Sequence, residues 1–517
     1  MTNEWTLSQQ ISWFLQEQTD DENIARQGAS IQSAIENGHT ITQQHGEIAN
    51  NDYLHCEQGW CGFTRHYKYE YFIWQQFSSP PQAALTDVSL SNSYEQAAAL
   101  LDEPKPVIEQ WLAALSSVVN SRTLISGAPG TGKTTTIIKL LLLHLLLRPQ
   151  LRIALCAPTG KAAHRMMQSI HHSRQLMAKQ LPAQLMEKIP QESYTIHRLL
   201  RFNHIENRFG HAAENPLPYD LVIVDESSML DVSLSYHLLK AVSAKCHVVM
   251  LGDAQQLPAV GAGFVFGDLC NKLKQPIPSD VSACFEQADS IPSAIELTRS
   301  FRFDKNSGIA ALARGVNQGE LPEFQNYEDI QFTDPYTRSE QLQSLQDIVS
   351  THAQDSIMLL SPRNQGPQSV AELNGLMQSV RYGESVFNAL KRKAENQPVI
   401  ITRNDYQLNL FNGDIGIMHY HKQQWWVEFE HTESVPLKAL RHWQCANALT
   451  VHRSQGSEYD VVVLVLPDDK NHDMLSRELL YTAVTRAKKM LYVWSTEAVL
   501  RKAAERSEKR QTFLQIF

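Results

Sequence analysis

The run Gly127–Thr136, GAPGTGKTTT, stands directly behind a short apolar stretch, Thr123–Ile125. Gly127, Gly132, Lys133 and Thr134 satisfy the spacing G-x-x-x-x-G-K-T. A phosphate chain needs backbone N–H groups pointing inward from a tight loop, and such a loop needs residues without a Cβ. Ala128, Pro129, Gly130 and Thr131 complete the loop. Lys133 can reach the outer phosphates, and the Thr134 hydroxyl, with Thr135 behind it, can hold magnesium. Thr135–Leu147 reads as a helix whose positive end would face the phosphates. A chance glycine-rich turn is the bland alternative. It is disfavoured because strand, loop and helix follow one another in the order that phosphate binding requires.

Three further apolar stretches end in polar groups. Leu221–Val224 runs into Asp225-Glu226-Ser227-Ser228-Met229. The first acid can orient water on magnesium, and the second can position and deprotonate an attacking water. Leu151–Cys156 ends in Ala157-Pro158-Thr159-Gly160-Lys161, which puts a hydroxyl, a glycine backbone and a cation at a strand end. His247–Leu251 ends in GDAQQLPAVGAG, Gly252–Gly263, with Asp253 and Gln256 placed as groups that sense a terminal phosphate. In a parallel sheet these ends meet at the carboxyl edge, where ligands bind. Four strand ends converging on one crevice make a nucleoside triphosphatase the reading, with ATP and magnesium as the expected ligands.

These groups need a large α/β scaffold to position them. A chain of 517 residues with 43% hydrophobic content can bury several cores, in three or four domains. The net charge of −9 lies in residues 1–100, which carry 12 acidic against 3 basic residues, while the remainder balances. A nucleic-acid site must therefore be a local track and not a basic body. The helix Ile137–Leu147 is interrupted by Lys139 and His144 and is too short to span a bilayer. With no Arg-flanked leader, a cytoplasmic protein is expected. The seven cysteines are scattered. Cys56 and Cys61 are the one close pair and lack a second pair for zinc, so reduced structural thiols are expected.

Residues 1–105 read as a separate N-terminal domain with helices over Thr6–Gln18 and Ile24–Asn37. Its aromatic run, Tyr67–Phe77, is better read as packing than as a partner surface. Composition shifts at Ser78–Ala84 and Glu103–Pro106 suggest a boundary near 105. A first α/β unit spans 106–295, with a small hairpin in Arg201–Tyr219. A second spans 296–397 and 448–517, with Arg299 and Arg302 near its start and Arg486 near its end. In a cleft between two such units these arginines would stand on the far wall. There Arg302 and Arg486 could meet the transferred phosphoryl group, a surface salt bridge being the alternative for each. Short strands and Gly/Asn turns in Pro398–Asn447 suggest a small inserted barrel. In it Trp425 and Trp426 read as packing before base stacking. The charged stretch Arg501–Phe517 reads as a solvated helix.

Taken together, these motifs resemble the superfamily 1 helicases of the RecD type, the 5′-to-3′ branch, and within it the alpha subunits of bacterial exodeoxyribonuclease V, RecBCD. The likeness runs from about residue 105 onward. It implies an α/β fold of two RecA-like domains with an SH3-like insertion at 398–447 and a strand-splitting pin at 201–219. It implies a DNA-dependent ATPase and helicase acting in DNA repair and recombination with RecB-like and RecC-like partners, the N-terminal domain docking onto the latter. By the same likeness Gln110 would contact adenine, and Gly127–Thr135 would hold the triphosphate. Thr134 and Asp225 would bind magnesium, and Glu226 would be the base. Gln256 would link the γ-phosphate to DNA, and Arg302 and Arg486 would be arginine fingers. Thr159, Lys161, Thr195, His197, Thr450, His452 and Arg453 would grip the strand, while Gly456 and Glu458 would face the nucleotide. Arg453 stands where lysine is usual, which keeps the charge and changes its geometry. No separated Asp/Glu/Lys cluster offers a nuclease centre. A stand-alone RecD-like helicase is the rival reading, although no helix-hairpin-helix region is legible. A degenerate ATPase would have lost Lys133, Asp225, Glu226 or Arg486, and a transporter ATPase would need a Leu-Ser-Gly-Gly-Gln-like signature.

Overall fold

The computed structural model describes residues 6–78, 87–102, 107–177, 182–277, 291–303, 306–334, 337–382, 395–405, 407–408, 410–429, 432–468 and 474–517. The composition shifts expected to mark a boundary, at Ser78–Ala84 and Glu103–Pro106, fall almost wholly outside these residues, as does Cys284.

Apolar runs that alternate into two cores favour parallel sheets covered on both faces. The first such sheet has six strands in the order Ala294–Leu297, Arg122–Gly127, His247–Gly252, Leu221–Val224, Ile153–Ala157 and Tyr194–Thr195. Every neighbouring pair is parallel. Leu124, Val222, Val248 and Met250 enter one core, which also takes in Ile73 and Phe77. Ile125, Ile223, Val249 and Leu251 enter the other, beneath the helices Ile108–Val119 and Lys133–Leu147. The aromatic run is therefore a packing helix, Thr64–Ser78, laid on the first sheet.

The strand Ala294–Leu297 corrects the expected division of the chain. It pairs with the phosphate-loop strand, Leu297 opposite Gly127, so a boundary after residue 295 would cut a strand of the first sheet. Backbone pairing to a strand about 170 residues earlier leaves no local mark in the sequence.

The second parallel sheet has the order Ile330–Thr333, Ala487–Trp494, Tyr459–Val465, Ile357–Ser361 and Ala448–Thr450. Between its strands the chain makes a five-stranded antiparallel sheet from Pro398–Ile401, Ile415–His421, Gln424–Phe429, Val435–Pro436 and Trp443–Cys445. That sheet has its own core around Val399, Met418 and Val427, with Trp425 packed against it. A two-stranded hairpin, Phe202–Asn203 with Arg208–Phe209, projects from the first sheet's side. No helix among the described residues is long and apolar enough to cross a membrane.

Two ionisable residues in the helix behind the phosphate loop are enclosed. Lys139 Nζ donates to Gln110 Oε1 at 2.9 Å and lies 5.0 Å from the Trp111 ring centroid. Burial, with help from the charges of His247 and Arg148, lowers the His144 pKa to about 3 and keeps it neutral.

The structure corrects two further expectations. Cys56 and Cys61 lie opposite each other in the pair Leu54–Glu57 and Trp60–Phe63 and form a disulfide, with Cα atoms 4.1 Å apart. The hairpin register brings these thiols together. Cys156, Cys246, Cys270 and Cys445 are buried thiols outside any disulfide. Nor is Arg501–Phe517 a solvated helix. Helix Glu497–Glu505 buries Val499, Leu500, Ala503 and Ala504, and the chain then crosses to the N-terminal part, where Phe513 and Leu514 are fully buried. The charge pattern hid this because so few apolar residues carry the packing.

Candidate nucleotide site and strand-contacting edge

The phosphate loop leaves the strand Arg122–Gly127 and enters the helix Lys133–Leu147 through Gly132, with φ +84°; Gly130 has φ +83°. Glycine adopts these angles at least cost. A Cβ on Gly127 would lie 2.5 Å from Thr131 Oγ1, one on Gly130 would lie 2.5 Å from Arg302 Cβ, and one on Gly132 would lie 2.4 Å from Gln110 Nε2. The loop is therefore bare backbone, buttressed on its outer side. Phe301 N donates to Gly130 O (2.8 Å), Gln110 Nε2 to Thr131 O (3.2 Å) and Thr131 Oγ1 to Ala128 O (2.8 Å). Lys133 Nζ folds back to Gly127 O at 2.6 Å. Bare backbone, a helix N-terminus and a lysine in one cradle fit a polyphosphate. Thr134 is half-buried and Thr135 exposed, both in the first turn of that helix.

Gln110 is placed differently from the expectation. It is 2% exposed and sits behind the loop, its amide spent on Thr131 O and Lys139 Nζ. It props the loop in this conformation. The reason is Lys139, a buried cation that needs an acceptor.

Asp225 and Glu226 follow the strand Leu221–Val224. Burial foremost, then Glu226, raises the Asp225 pKa to about 6, while Lys133 opposes the shift. A divalent cation beside it would restore the charged form, so the donor chemistry fits magnesium. Glu226 takes φ +52°, a left-handed backbone that a non-glycine residue adopts at a cost. Gly456 of the other unit comes close enough that a Cβ on it would lie 3.9 Å from Glu226 Oε1.

Arg486 lies on the far wall, as expected. It is 2% exposed, with Nε donating to Thr482 O (2.9 Å) and Nη1 to Ser457 O (3.2 Å). Burial lowers its pKa, and Glu226, Glu458 and Asp253 oppose that shift. Arg302 does not lie on the far wall. Its backbone follows the added strand Ala294–Leu297 and presses on Gly130, while its guanidinium crosses to Glu458. Burial opposes ionisation of Glu458, yet Arg302 and Arg486 hold its pKa below the usual value.

Other contacts in and across the cleft bring in Tyr481 and Thr482, which no motif flagged. Asp253 Oδ2 accepts from Gln256 Nε2 (3.1 Å) and from Tyr481 Oη (3.0 Å). Leu257 N donates to Thr482 Oγ1 (2.9 Å), Gln455 Nε2 to Leu257 O (3.1 Å), and Arg165 to Gly456 O. Tyr481 and Thr482 read as core positions of an amphipathic helix, so the sequence carried no signal for them.

The residues expected to grip a strand line the carboxyl edges of both parallel sheets. Thr159 Oγ1 accepts from Ala162 N, Thr195 Oγ1 from Arg198 N, and Thr450 Oγ1 from Arg453 N. A hydroxyl that accepts from an amide keeps its own proton to donate, for example to a phosphate oxygen. Lys161 Nζ reaches Gly413 O (3.3 Å) in the antiparallel sheet's turn, and Arg453 Nη1 reaches Gln444 Oε1 (3.2 Å). His197 packs edge-on to Phe202 of the hairpin, and His452 stands beside Arg453. Among the described residues, no group of three or more His, Cys, Asp or Glu side chains could hold a metal.

Residues 110–262 match the family model for an AAA domain, and residues 446–494 match that for a UvrD-like helicase C-terminal domain. The RecBCD enzyme subunit RecD of Haemophilus influenzae is 30% identical over 518 residues, covering 87% of this chain and 79% of that protein. The RecBCD enzyme subunit RecD of Mycolicibacterium smegmatis is 32% identical over 434 residues, covering 78% and 74%. The ATP-dependent RecD2 DNA helicase of Deinococcus radiodurans is 31% identical over 417 residues, covering 79% of this chain and 52% of that protein. The reach of these likenesses across both sheets, and the cleft chemistry between them, mean that this chain belongs to the RecD family of superfamily 1 DNA helicases, ATP-hydrolysing enzymes that need no nuclease centre of their own.

Proposed function

We propose that the chain is a 5′-to-3′ translocase on single-stranded DNA and the motor subunit of a helicase–nuclease heterotrimer, with RecB-like and RecC-like partners, in double-strand break repair and DNA degradation. The observation that carries this reading is the division of one cleft between two sheets. The first sheet supplies Lys133, Asp225 and Glu226, and the second supplies Arg486 and Glu458. Chemistry in such a cleft moves one unit against the other, and the strand-contacting hydroxyls sit on both units. The two parallel-sheet units are then RecA-like domains, the antiparallel sheet at 398–447 an SH3-like insertion, and residues 1–105 a partner-docking domain.

In this reading Gly127–Gly132 and Lys133 hold the triphosphate, and Thr134 and Asp225 hold magnesium, which offsets charge on the phosphates. Glu226 takes the proton of the attacking water. Gln256 and Asp253 sense the terminal phosphate, while Arg302 and Arg486 neutralise charge on the transferred phosphoryl group. Thr159, Lys161 and Thr195 grip the strand on one unit, and Thr450, His452 and Arg453 on the other. Contacts of this kind go to phosphate and sugar, so base sequence matters little and salt weakens binding. Unwinding of duplexes with a 5′ or a 3′ single-stranded overhang tests the direction. Preference for the 3′ overhang overturns the polarity.

The likeness to the Deinococcus RecD2 helicase favours a second reading, a helicase that works without partners. Pull-down of the full chain from its own cells separates the two. RecB-like and RecC-like proteins are recovered in the first case. In the second, none is recovered and the isolated chain unwinds at full rate.

A further inference from the structure

Residues 506–517 cross three parts of the molecule, and one buried cation stands among them. The stretch begins on the helix that leads to Arg486. Arg477 N donates to Arg506 O (2.7 Å), Ser507 Oγ to Glu478 Oε1 (2.7 Å) and Glu508 N to Glu478 Oε2 (2.8 Å). It finishes on the N-terminal part and the first sheet's helices. Thr40 N donates to Gln511 O (2.9 Å), Gln511 N to His39 Nδ1 (3.0 Å), Thr512 Oγ1 to Asp268 Oδ2 (2.6 Å) and Leu514 N to Glu70 Oε2 (2.9 Å).

Between these anchors stands Arg510, 7% exposed. Its Nη1 donates to Gly261 O (2.7 Å) and Gly263 O (2.8 Å), and its Nη2 reaches Glu508 Oε1 (3.4 Å). Both carbonyls belong to the loop that begins with Asp253 and Gln256 and crosses the cleft at Leu257. Gly38 closes the other side. Its carbonyl accepts from Gly263 N (2.8 Å), and a Cβ on it would lie 2.6 Å from Arg510 Cζ. The charge of Arg510 is also felt at His452, whose pKa is lowered by desolvation and then by Arg510. A buried guanidinium is a poor source of stability compared with apolar packing, but it fixes geometry wherever its donors are directed. In this molecule they are directed at the loop of the hydrolytic site.

We propose that Arg510 is a positioning residue for ATP hydrolysis. Through Gly261 and Gly263 it sets the loop that carries Asp253 and Gln256, and through Gly38 it makes that loop's position depend on the seating of the N-terminal residues. The inference rests on the cleft being the hydrolytic site. The phosphate loop is buttressed by Gln110, Phe301 and Thr131 and not by Arg510, so the effect falls on turnover and not on ATP affinity.

The test uses the full chain with saturating single-stranded DNA, measuring steady-state ATP hydrolysis and the thermal midpoint together. Arg510→Met lowers kcat about tenfold while KM for ATP stays within about twofold. Arg510→Lys recovers much of the loss, because an ammonium can still donate to both carbonyls. Gly38→Ala displaces the guanidinium and lowers kcat, and the double variant is no worse than Arg510→Met alone, as coupled neighbours require. If Arg510→Met does not fold, Gly38→Ala and Arg510→Lys decide. A kcat within about twofold of wild type in Arg510→Met and Gly38→Ala overturns the proposal, as do additive losses in the double variant. Glu226→Gln in the same assay separates the two levels. If it abolishes turnover while Arg510→Met leaves kcat within about twofold of wild type, only this inference fails; if it retains turnover, the hydrolytic reading fails first.

Discussion

Tyr481 donates its hydroxyl proton to Asp253 Oδ2 at 3.0 Å, joining the helix that leads to Arg486 to the loop that carries Gln256. Burial foremost, then the charge of Asp253, raises the tyrosine pKa well above its usual value, so the phenol remains a donor. This contact ties the two walls of the cleft together in one hydrogen bond. Tyr481→Phe keeps the packing and removes the donor. It lowers kcat for DNA-dependent ATP hydrolysis about tenfold to a hundredfold, the cost of one bond to a charged acceptor, with KM for ATP little changed. Unchanged kcat would remove the bond from the mechanism.

In the proposed mechanism Lys133 and Glu226 act at different stages, and kinetics tell them apart. Lys133→Ala removes a phosphate contact present in both ground and transition states, so it weakens nucleotide binding and abolishes hydrolysis. Glu226→Gln removes the proton acceptor alone, leaving binding nearly intact while turnover falls by about two to four orders of magnitude. Equilibrium binding of a fluorescent ATP analogue beside steady-state hydrolysis checks both. Equal loss of binding in the two variants contradicts this division of roles.

Arg486 directs Nε and Nη1 at the carbonyls of Thr482 and Ser457, a fork that lysine cannot reproduce. Arg486→Lys keeps the charge and still lowers kcat about a hundredfold, the scale of losing a transition-state donor. Single-turnover hydrolysis measures it, and a loss of less than about twofold argues against direct contact with the phosphoryl group.

Glu70, wholly buried, accepts from Leu514 N, and burial raises its pKa to about 8. The folded chain therefore holds a proton that the unfolded chain releases near its ordinary carboxyl pKa. Stability from this group is full below that ordinary value and is lost as pH rises through the folded value. The thermal midpoint accordingly falls between about pH 5 and about pH 8. Glu70→Gln, which keeps an acceptor for Leu514, flattens that slope. Identical slopes in both proteins would exclude Glu70 as the source.

The chemistry of this protein is legible in its sequence because it is local. Gly127–Thr134 places bare backbone, lysine and hydroxyl within one turn, and Asp225-Glu226 follows four apolar residues. Backbone geometry over a few residues suffices to present such groups, so residue type and spacing specify them. The alternating apolar runs likewise specified strands buried on both faces, and with them the α/β class. What lay beyond reach depends on contacts between distant residues. Leu297 pairs with Gly127 and brings Arg302 to the near wall. Lys139 claims Gln110 from a site where a base was expected to meet it. Cys56 meets Cys61 only through a hairpin register. Residues 506–517 read as solvent-facing until Phe513, Leu514 and Arg510 are seen packed among the N-terminal helices and the loop after Asp253. Apart from the disulfide, the deciding energy is a buried donor finding its acceptor, or an apolar side chain finding a cavity, and neither is written in the order of the residues around it.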